Sequence, residues 1–272
     1  MEGQDATSDV SHTAEWIASF VREVIDAIGP SRFSGVVSDS TGNTRKARGL
    51  LNHEIPTLLP LADICHHLGN TIKDIVSLAH FKPVIGPLRK TITKFHKSHI
   101  GTAELTTARR ELRIVGGGLE AIGKTRFGTL ILSARALQRN IPAIKRVVEQ
   151  GRFDLGDLAE NFQEVLSQTT ADFQIGLSHL VNIGNPAIKA LTVLEANEAT
   201  AADTYIFWHA VLSSTLEAAS KANLPSVVQL QISKILNHRH NQIMGGGNLS
   251  SALYVVAAYL HPGVRYSSLL SP

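Results

Sequence analysis

Only two segments of the chain have the composition of β-strands, and both lie near its beginning. Residues 33–38 are short, β-branched at their centre and bounded by turn-forming residues, which is typical of a buried strand. Residues 57–61 form a second apolar run, in which Pro60 favours a position at the edge of a sheet. A stable open sheet usually needs three or more strands, so this sheet is either incomplete or completed by another segment.

Helical patterns surround and follow these two strands. An apolar stripe with helical spacing runs over residues 13–28, with Ser11 or Thr13 as its cap and Gly29-Pro30 as its stop. Further helices are predicted at about 44–53, 64–79, 82–97, 102–113, 128–149, 155–169, 171–182, 186–195, 200–222, 225–243 and 248–260. The predicted fold class is therefore α/β plus all-α, with a parallel α/β unit in front of a helical region.

Positive charge is concentrated in the middle of the chain. Residues 32–152 contain 20 Lys and Arg against 8 Asp and Glu, whereas the flanking segments are acidic and the whole chain has a net charge of +3. Such a basic field attracts polyanions and releases their counterions, which favours a nucleic-acid partner over a merely solvated surface. No apolar run reaches the length of about 18 residues that a membrane span needs. The single cysteine, Cys65, excludes an internal disulfide framework.

Asp39 follows the better of the two predicted strands and precedes the turn-forming residues 40–43. In open α/β folds ligands bind at this edge of the sheet, and a carboxylate there can hold a divalent cation for phosphoryl chemistry. The alternative is that Asp39 caps the following turn or helix through its side chain. Residue type alone favours the capping role.

Two other motifs each have a functional and a structural interpretation. Cys65, His66 and His67 lie near two acids, but adjacent residues of a helix point in different directions, which favours local packing over a metal cluster. Residues 118–125 have the spacing of a phosphate-binding loop. Because a charged helical segment precedes them where that loop requires a strand, an ATPase is disfavoured.

Basic side chains suited to nucleic acid fall into three groups along the chain. They are Arg45, Lys46 and Arg48 after Asp39; Arg89, Lys90, Lys94 and Lys97 at roughly helical spacing; and Lys124, Arg126, Arg135 and Arg139. Phe127 is adjacent to Arg126, which suits stacking on a base beside a phosphate. Taken alone, an aromatic side chain such as Phe127 is more often part of a core.

Several segments resemble motifs of the hAT superfamily of DNA transposases, in the order in which the family has them. They are residues 36–43 with Ala47, residues 65–68 with Asp74, residues 124–127, 194–195, 202–203 and 207–208, and residues 257–262. The first is similar to the segment in which a strand delivers the family's second catalytic aspartate, here Asp39. Cys65, His66 and Asp74 belong to a similar structural motif, and Phe127 replaces the tryptophan of the Thr-Arg-Trp motif. The resemblance is to the plant and fungal group that carries a domain of unknown function.

The resemblance implies an incomplete ribonuclease H-like core of two to three strands with flanking helices, followed by a helical insertion region. The implied segments are a disordered N-terminus at 1–10, the partial core at 11–115 and the helical insertion region at 116–272. The family cuts and joins DNA with two metal ions held by three carboxylates. Asp39 corresponds to the second carboxylate, while the first is expected upstream of Ser11 and the third beyond Pro262.

The resemblance therefore implies a transposase-derived fragment that binds DNA in the nucleus, without transposase activity and without a cofactor of its own. Arg126 is expected at the phosphate backbone, and the helical region is expected to contact DNA and to support homo-oligomers. One alternative is a part of an active transposase that binds Mg²⁺ through Asp39 and takes its other acids from outside this chain. The other is a domesticated protein-interaction scaffold.

Overall fold

The chain folds mostly into α-helices, with one short sheet near its beginning. The computed structural model describes residues 13–123, 128–163, 167–245 and 249–263. Within these ranges the strands are β1 (Gly35–Ser38) and β2 (Leu59–Ala62). The helices are α1 (Ala14–Ile28), α2 (Gly42–Glu54), α3 (Ile64–Val76), α4 (Lys82–His96), α5 (His99–Glu111), α6 (Gly128–Glu149), α7 (Gln168–Leu194), α8 (Ala201–Lys221), α9 (Ser226–Met244) and α10 (Leu249–Leu260). None of these helices combines the length and the apolar character that crossing a bilayer requires.

The two strands pair in parallel, and α2 connects them. Gly35 lies opposite Leu59, and Ser38 lies opposite Ala62. A Cβ atom at position 35 would come within 3.0 Å of the Leu59 carbonyl oxygen, so glycine lets the strands approach closely at this end. The predicted fold, mostly helical with a parallel strand–helix–strand unit near its beginning, is confirmed at this level.

The chain divides into two compact units, of which unit 1 is drawn from residues 1–67, 200–205 and 240–272. Its core forms where α1 packs on α2, through buried side chains that include Ile25 and Leu51. The Thr13 hydroxyl caps α1 by accepting a hydrogen bond from the Trp16 backbone N–H at 3.2 Å. Gly29 ends the helix at a φ of 109°, a conformation that disfavours other residues. Both predicted ends of this helix are therefore confirmed.

Unit 2 is drawn from residues 68–199 and 206–239 and is helical. Helices α6 and α7 cross closely at Gly184, where a Cβ atom would lie 2.5 Å from Ile131 Cδ1. A 3₁₀ helix, Gly156–Phe162, packs on the start of α7. The buried rings of Phe162 and Phe173 meet there edge to face, with their centroids 5.6 Å apart.

Two predicted helix boundaries are wrong, and tertiary packing explains the first of them. Residues 184–186 are predicted to separate two helices, but α7 continues through Pro186. Residues on both sides of this proline, such as Ile183 and Ala187, are buried, so one continuous helix keeps the whole apolar stripe in the core. The helix predicted at 155–169 is instead the 3₁₀ helix Gly156–Phe162.

The predicted segmentation of the chain is not tested by this division into units. The predicted disordered N-terminus, residues 1–10, lies outside the described residues. The predicted boundary between residues 115 and 116 follows the family resemblance, whereas the two units follow packing. That boundary stays a prediction.

Candidate functional site

Two acidic residues follow the ends of the paired strands. Asp39 comes directly after β1, and Asp63 comes directly after β2. Because Ser38 and Ala62 are partners in a parallel ladder, the two acids begin at the same edge of the sheet, on strands about 4.8 Å apart. The Asp63 backbone N–H extends the ladder by donating to the Ser38 carbonyl at 2.9 Å. The sequence identifies Asp39 at this edge but does not identify Asp63 as its neighbour.

The Asp39 carboxylate is held by the turn that leads into α2. The hydroxyls of Thr44 and Thr41 donate to its Oδ1 atom at 2.7 and 3.3 Å. The hydrogen bond from Thr44 is the largest reason why the pKa of Asp39 lies below its ordinary value, while partial burial opposes the shift. Asp39 is therefore an ionised carboxylate that stabilises the local turn, while the N-cap position of α2 is Thr41.

Asp63 and the neighbouring motif have similar local roles. The Asp63 Oδ1 atom accepts hydrogen bonds from the backbone N–H groups of Cys65 and His66, at 2.8 and 3.1 Å, at the start of α3. The buried His67 ring joins the Ser40 hydroxyl at an Nε2–Oγ distance of 2.9 Å, which ties the loop after β1 to α3. The Cys65 thiol is half-buried and forms no disulfide.

A buried arginine of α2 stabilises the same edge of the sheet. Arg48 of α2 is only 5% exposed, and its Nη1 atom donates to the carbonyls of Ser38 and Asp39 at 2.9 and 2.6 Å. Burial lowers the pKa of the Arg48 guanidinium, and the charge of Asp39 opposes that change. On the β2 side the buried Tyr254 hydroxyl donates to the Ala62 carbonyl at 3.3 Å, and burial raises its pKa. These contacts hold the carbonyl ends of both strands.

The strand-end acids do not fit a two-metal centre of the kind that the family resemblance implies. Within the described ranges, no three His, Cys, Asp or Glu side chains are grouped to hold a metal ion. Asp39 and Asp63 each direct an oxygen to local donors, and the guanidinium of Arg48 lies beside Asp39. A cation next to a carboxylate weakens its attraction for a metal ion.

Thr44→Val is expected to raise the pKa of Asp39, because it removes the shortest hydrogen bond to the carboxylate. A carboxyl whose folded pKa is depressed stabilises the fold above its unfolded pKa of about 4, and this stabilisation is lost as pH falls through the folded value. The variant therefore has less stability to lose on acidification below about pH 4. NMR titration of the Asp39 carboxyl carbon measures the change. An unchanged pKa, equal to that of a control with exposed Thr93→Val, would contradict this account.

Three of the predicted basic residues at α4 form, together with Lys82, an exposed stripe that we call the cationic face, while the predicted Lys94 is half-buried. Its members are Lys82, Arg89, Lys90 and Lys97, which follows the last residue of the helix. They recur at helical spacing, and all are exposed, while the opposite side of α4 is buried through residues such as Leu88 and Ile92. The sequence contains no acidic residue between Asp74 and Glu104. Lys82 was not among the residues predicted, although it stands seven positions before Arg89 on the same side of the helix.

The cationic face differs from several other basic residues of the described chain in its lack of ion pairs. Within the described part of the chain, none of its four members forms an ion pair. On α6, by contrast, Arg146 pairs with Glu111 at 2.7 Å. In unit 1, Lys46 pairs with Glu15 at 2.6 Å, while Arg45 is exposed. The unpaired charge of unit 2 is thus strongest along α4.

Among the other predicted residues, Arg139 pairs with Glu120 at 3.7 Å, and Arg135 of α6 is exposed. Asp74 pairs with Arg239 of α9, with Oδ2 at 2.5 Å from Nη2, so it has a structural contact within unit 2. Lys124, Arg126 and Phe127 lie outside the described residues. Their predicted contacts with DNA stay predictions.

No protein-family model, no curated protein and no solved structure matches the chain.

Proposed function

We propose that this chain is a nucleic-acid-binding protein derived from a hAT-type transposase, and that the cationic face binds the phosphate backbone. The observation that supports this most strongly is the row of exposed, unpaired cations on an acid-free helix. Four unpaired cations repel one another, and Lys82 at the first turn of α4 opposes the helix dipole, which Lys97 at the other end satisfies. A stripe with these costs is better explained by a polyanionic partner than by the stability of the helix.

The dimensions of the cationic face suit a nucleic-acid backbone. From Lys82 to Lys97 the helix rises by about 22 Å, at 1.5 Å per residue. Duplex DNA of that length has about six base pairs and about thirteen phosphates. Contacts of lysine and arginine with phosphates release counterions and depend little on base sequence. We therefore propose binding without strong sequence preference. A location in the nucleus belongs to the proposed transposase origin.

The ribonuclease H-like origin is part of the same proposal. The parallel β1–α2–β2 unit, with Asp39 after β1, supports it because the family's second catalytic aspartate also follows a strand at the sheet edge. The local hydrogen bonds of Asp39 and Asp63 favour a structural role for both acids. We propose that binding rather than DNA cleavage is the function of this chain. Cleavage that requires Mg²⁺ and is abolished by Asp39→Ala would contradict this part of the proposal.

One observation favours a second candidate function, that of a protein-interaction scaffold. Helix α10 exposes four apolar side chains, Val255, Val256, Tyr259 and Leu260, the last at 68%. Exposed apolar groups of this kind can mark a protein contact. A scaffold of this type would show no dependence of DNA affinity on salt, because it would release no counterions.

Replacing Arg89 and Lys90 together by glutamine is expected to weaken binding to a DNA duplex by about ten- to a hundredfold at 0.1 M salt, since each lost phosphate contact removes about one released counterion. Fluorescence anisotropy with a labelled duplex measures the affinity. The matched control is Lys189→Gln with Lys234→Gln, which changes net charge equally within unit 2 at two exposed lysines outside α4. Equal affinities of the two double variants would contradict the proposed role of the cationic face.

A further inference from the structure

A pocket of about 120 Å³ lies within unit 2 at the end of α4, beside α5 and the loop that follows α5. Phe95 and Leu105 form apolar walls, and the polar lining includes His96, Thr106 and Arg109. Among the described residues no carboxylate lines this pocket. Because arginine keeps its charge at all ordinary pH values, the pocket is cationic.

Arg109 has a hydrogen-bond donor that the fold does not use. Its Nη2 atom donates to the Gly116 carbonyl, but its Nε atom is buried and has no hydrogen-bond partner within the described ranges. The two acids on the same helix, Glu104 and Glu111, pair with Arg152 at 3.8 and 3.1 Å. A buried donor without a partner is destabilising unless a ligand or water accepts from it.

Gly118 of the glycine-rich loop lies beside this guanidinium. A Cβ atom at Gly118 would lie 3.8 Å from the Arg109 Nη1 atom, so a side chain at that position would pack against the charged group. Glycine instead leaves room for an oxygen-bearing ligand to approach the guanidinium. Two oxygens of a phosphate group match the geometry of arginine donors, which makes phosphate a suitable ligand.

The pocket is also adjacent to the cationic face. His96, which lines the pocket, directly precedes Lys97, the last member of that face. A strand whose phosphates follow α4 would therefore reach the pocket at the end of the helix.

We infer that this pocket binds one phosphate group of the nucleic acid that lies on the cationic face, with Arg109 as the principal donor. The inference rests on the proposed function, because it takes its ligand from the same strand. Free phosphate has the same chemistry, so the test compares inorganic phosphate with an oligonucleotide.

The first measurement uses the unmodified protein and follows the Arg109 Nε–H signal by NMR. Addition of an oligonucleotide is expected to shift this signal in a saturable way, and inorganic phosphate is expected to shift it at much higher concentration. The exposed neighbour Arg110 serves as an internal control, and chloride at equal ionic strength controls for screening. An Arg109 signal that responds only to phosphate, or no more than that of Arg110, would overturn the inference.

The second measurement separates the pocket from the cationic face. Arg109→Gln is expected to make the slope of log affinity against log salt shallower by about one unit. Arg109→Lys is expected to keep most of the original slope, because it keeps the charge. If the double variant of Arg89 and Lys90 loses DNA affinity while Arg109→Gln does not, the inference about the pocket is contradicted and the proposed function is supported. If neither variant loses DNA affinity, the inference about the pocket and the proposed function are both contradicted. Circular dichroism verifies that each variant is folded. If the Arg109→Gln protein does not fold, His96→Gln provides a second substitution in the pocket.

Discussion

Phe162→Ala is expected to lower the free energy of unfolding of unit 2 by about 3–5 kcal/mol, the usual cost of deleting a fully buried aromatic ring. Phe162 is 0% exposed and packs edge to face on Phe173, which fixes the 3₁₀ helix on α7. A hydrogen bond of 2.6 Å from the Thr170 hydroxyl to the Glu160 carbonyl makes the same connection. The cavity left by the ring cannot close without moving both elements.

The two tryptophans of the chain allow this effect to be measured in unit 2 alone. Trp16 belongs to unit 1 and Trp208 to unit 2, so denaturant unfolding in a Trp16→Phe background reports on Trp208. The matched control is Ile175→Ala, two positions from Phe173 on α7 but 54% exposed, with an expected change within about 0.5 kcal/mol. Equal losses in the two variants would show that the contact between Phe162 and Phe173 does not organise this part of the core.

Arg48→Met is expected to destabilise the sheet in unit 1 by about 3 kcal/mol, because it removes the charged donor from the carbonyls of Ser38 and Asp39. These carbonyls then keep only the neutral donors Asp63 N–H and the Thr44 hydroxyl. Amide hydrogen exchange at Asp63, whose N–H donates to the Ser38 carbonyl, reports on this edge. An energy change of that size corresponds to exchange faster by about a hundredfold.

The control for this second substitution is Arg45→Met, one turn earlier on α2. Arg45 is exposed, so the control removes the same charge and the same side chain without uncovering buried carbonyls. Its exchange rate at Asp63 is expected to stay close to that of the unmodified protein. Similar acceleration in both variants would indicate that charge, and not the buried hydrogen bonds of Arg48, stabilises the edge.

The parts of the fold that follow local patterns could be predicted from the sequence. Helix α1 begins at a threonine cap and ends at a glycine with positive φ, and both signals are local. The continuation of α7 through Pro186 could not be predicted, because the stabilising contacts come from other helices, such as Ile131 of α6 against Gly184. Local signals for a break are strong at residues 184–186, and tertiary packing overrides them.

The candidate site also has parts that follow local sequence patterns and parts that depend on the tertiary fold. Asp39 could be placed at a strand end because its strand has a clear pattern. The position of Asp63 beside it at the same edge depends on the register of the two strands. Register between distant segments is not readable from one sequence, and Pro60 obscured the end of β2. The absence of ion pairs along the cationic face also needed the fold, since only the fold separates Lys82 and Arg89 from the acids that bind other arginines.

The dependence of DNA affinity on salt tests the proposed cationic face most directly. For the unmodified protein, log affinity is expected to fall linearly with log salt, with a slope of about −3 to −4 from the four contacts of the cationic face and about one unit more from Arg109. The double variant of Arg89 and Lys90 is expected to reduce the magnitude of this slope by about two. A slope near zero, or an equal slope in the two proteins, would mean that the exposed cations of α4 do not bind phosphate.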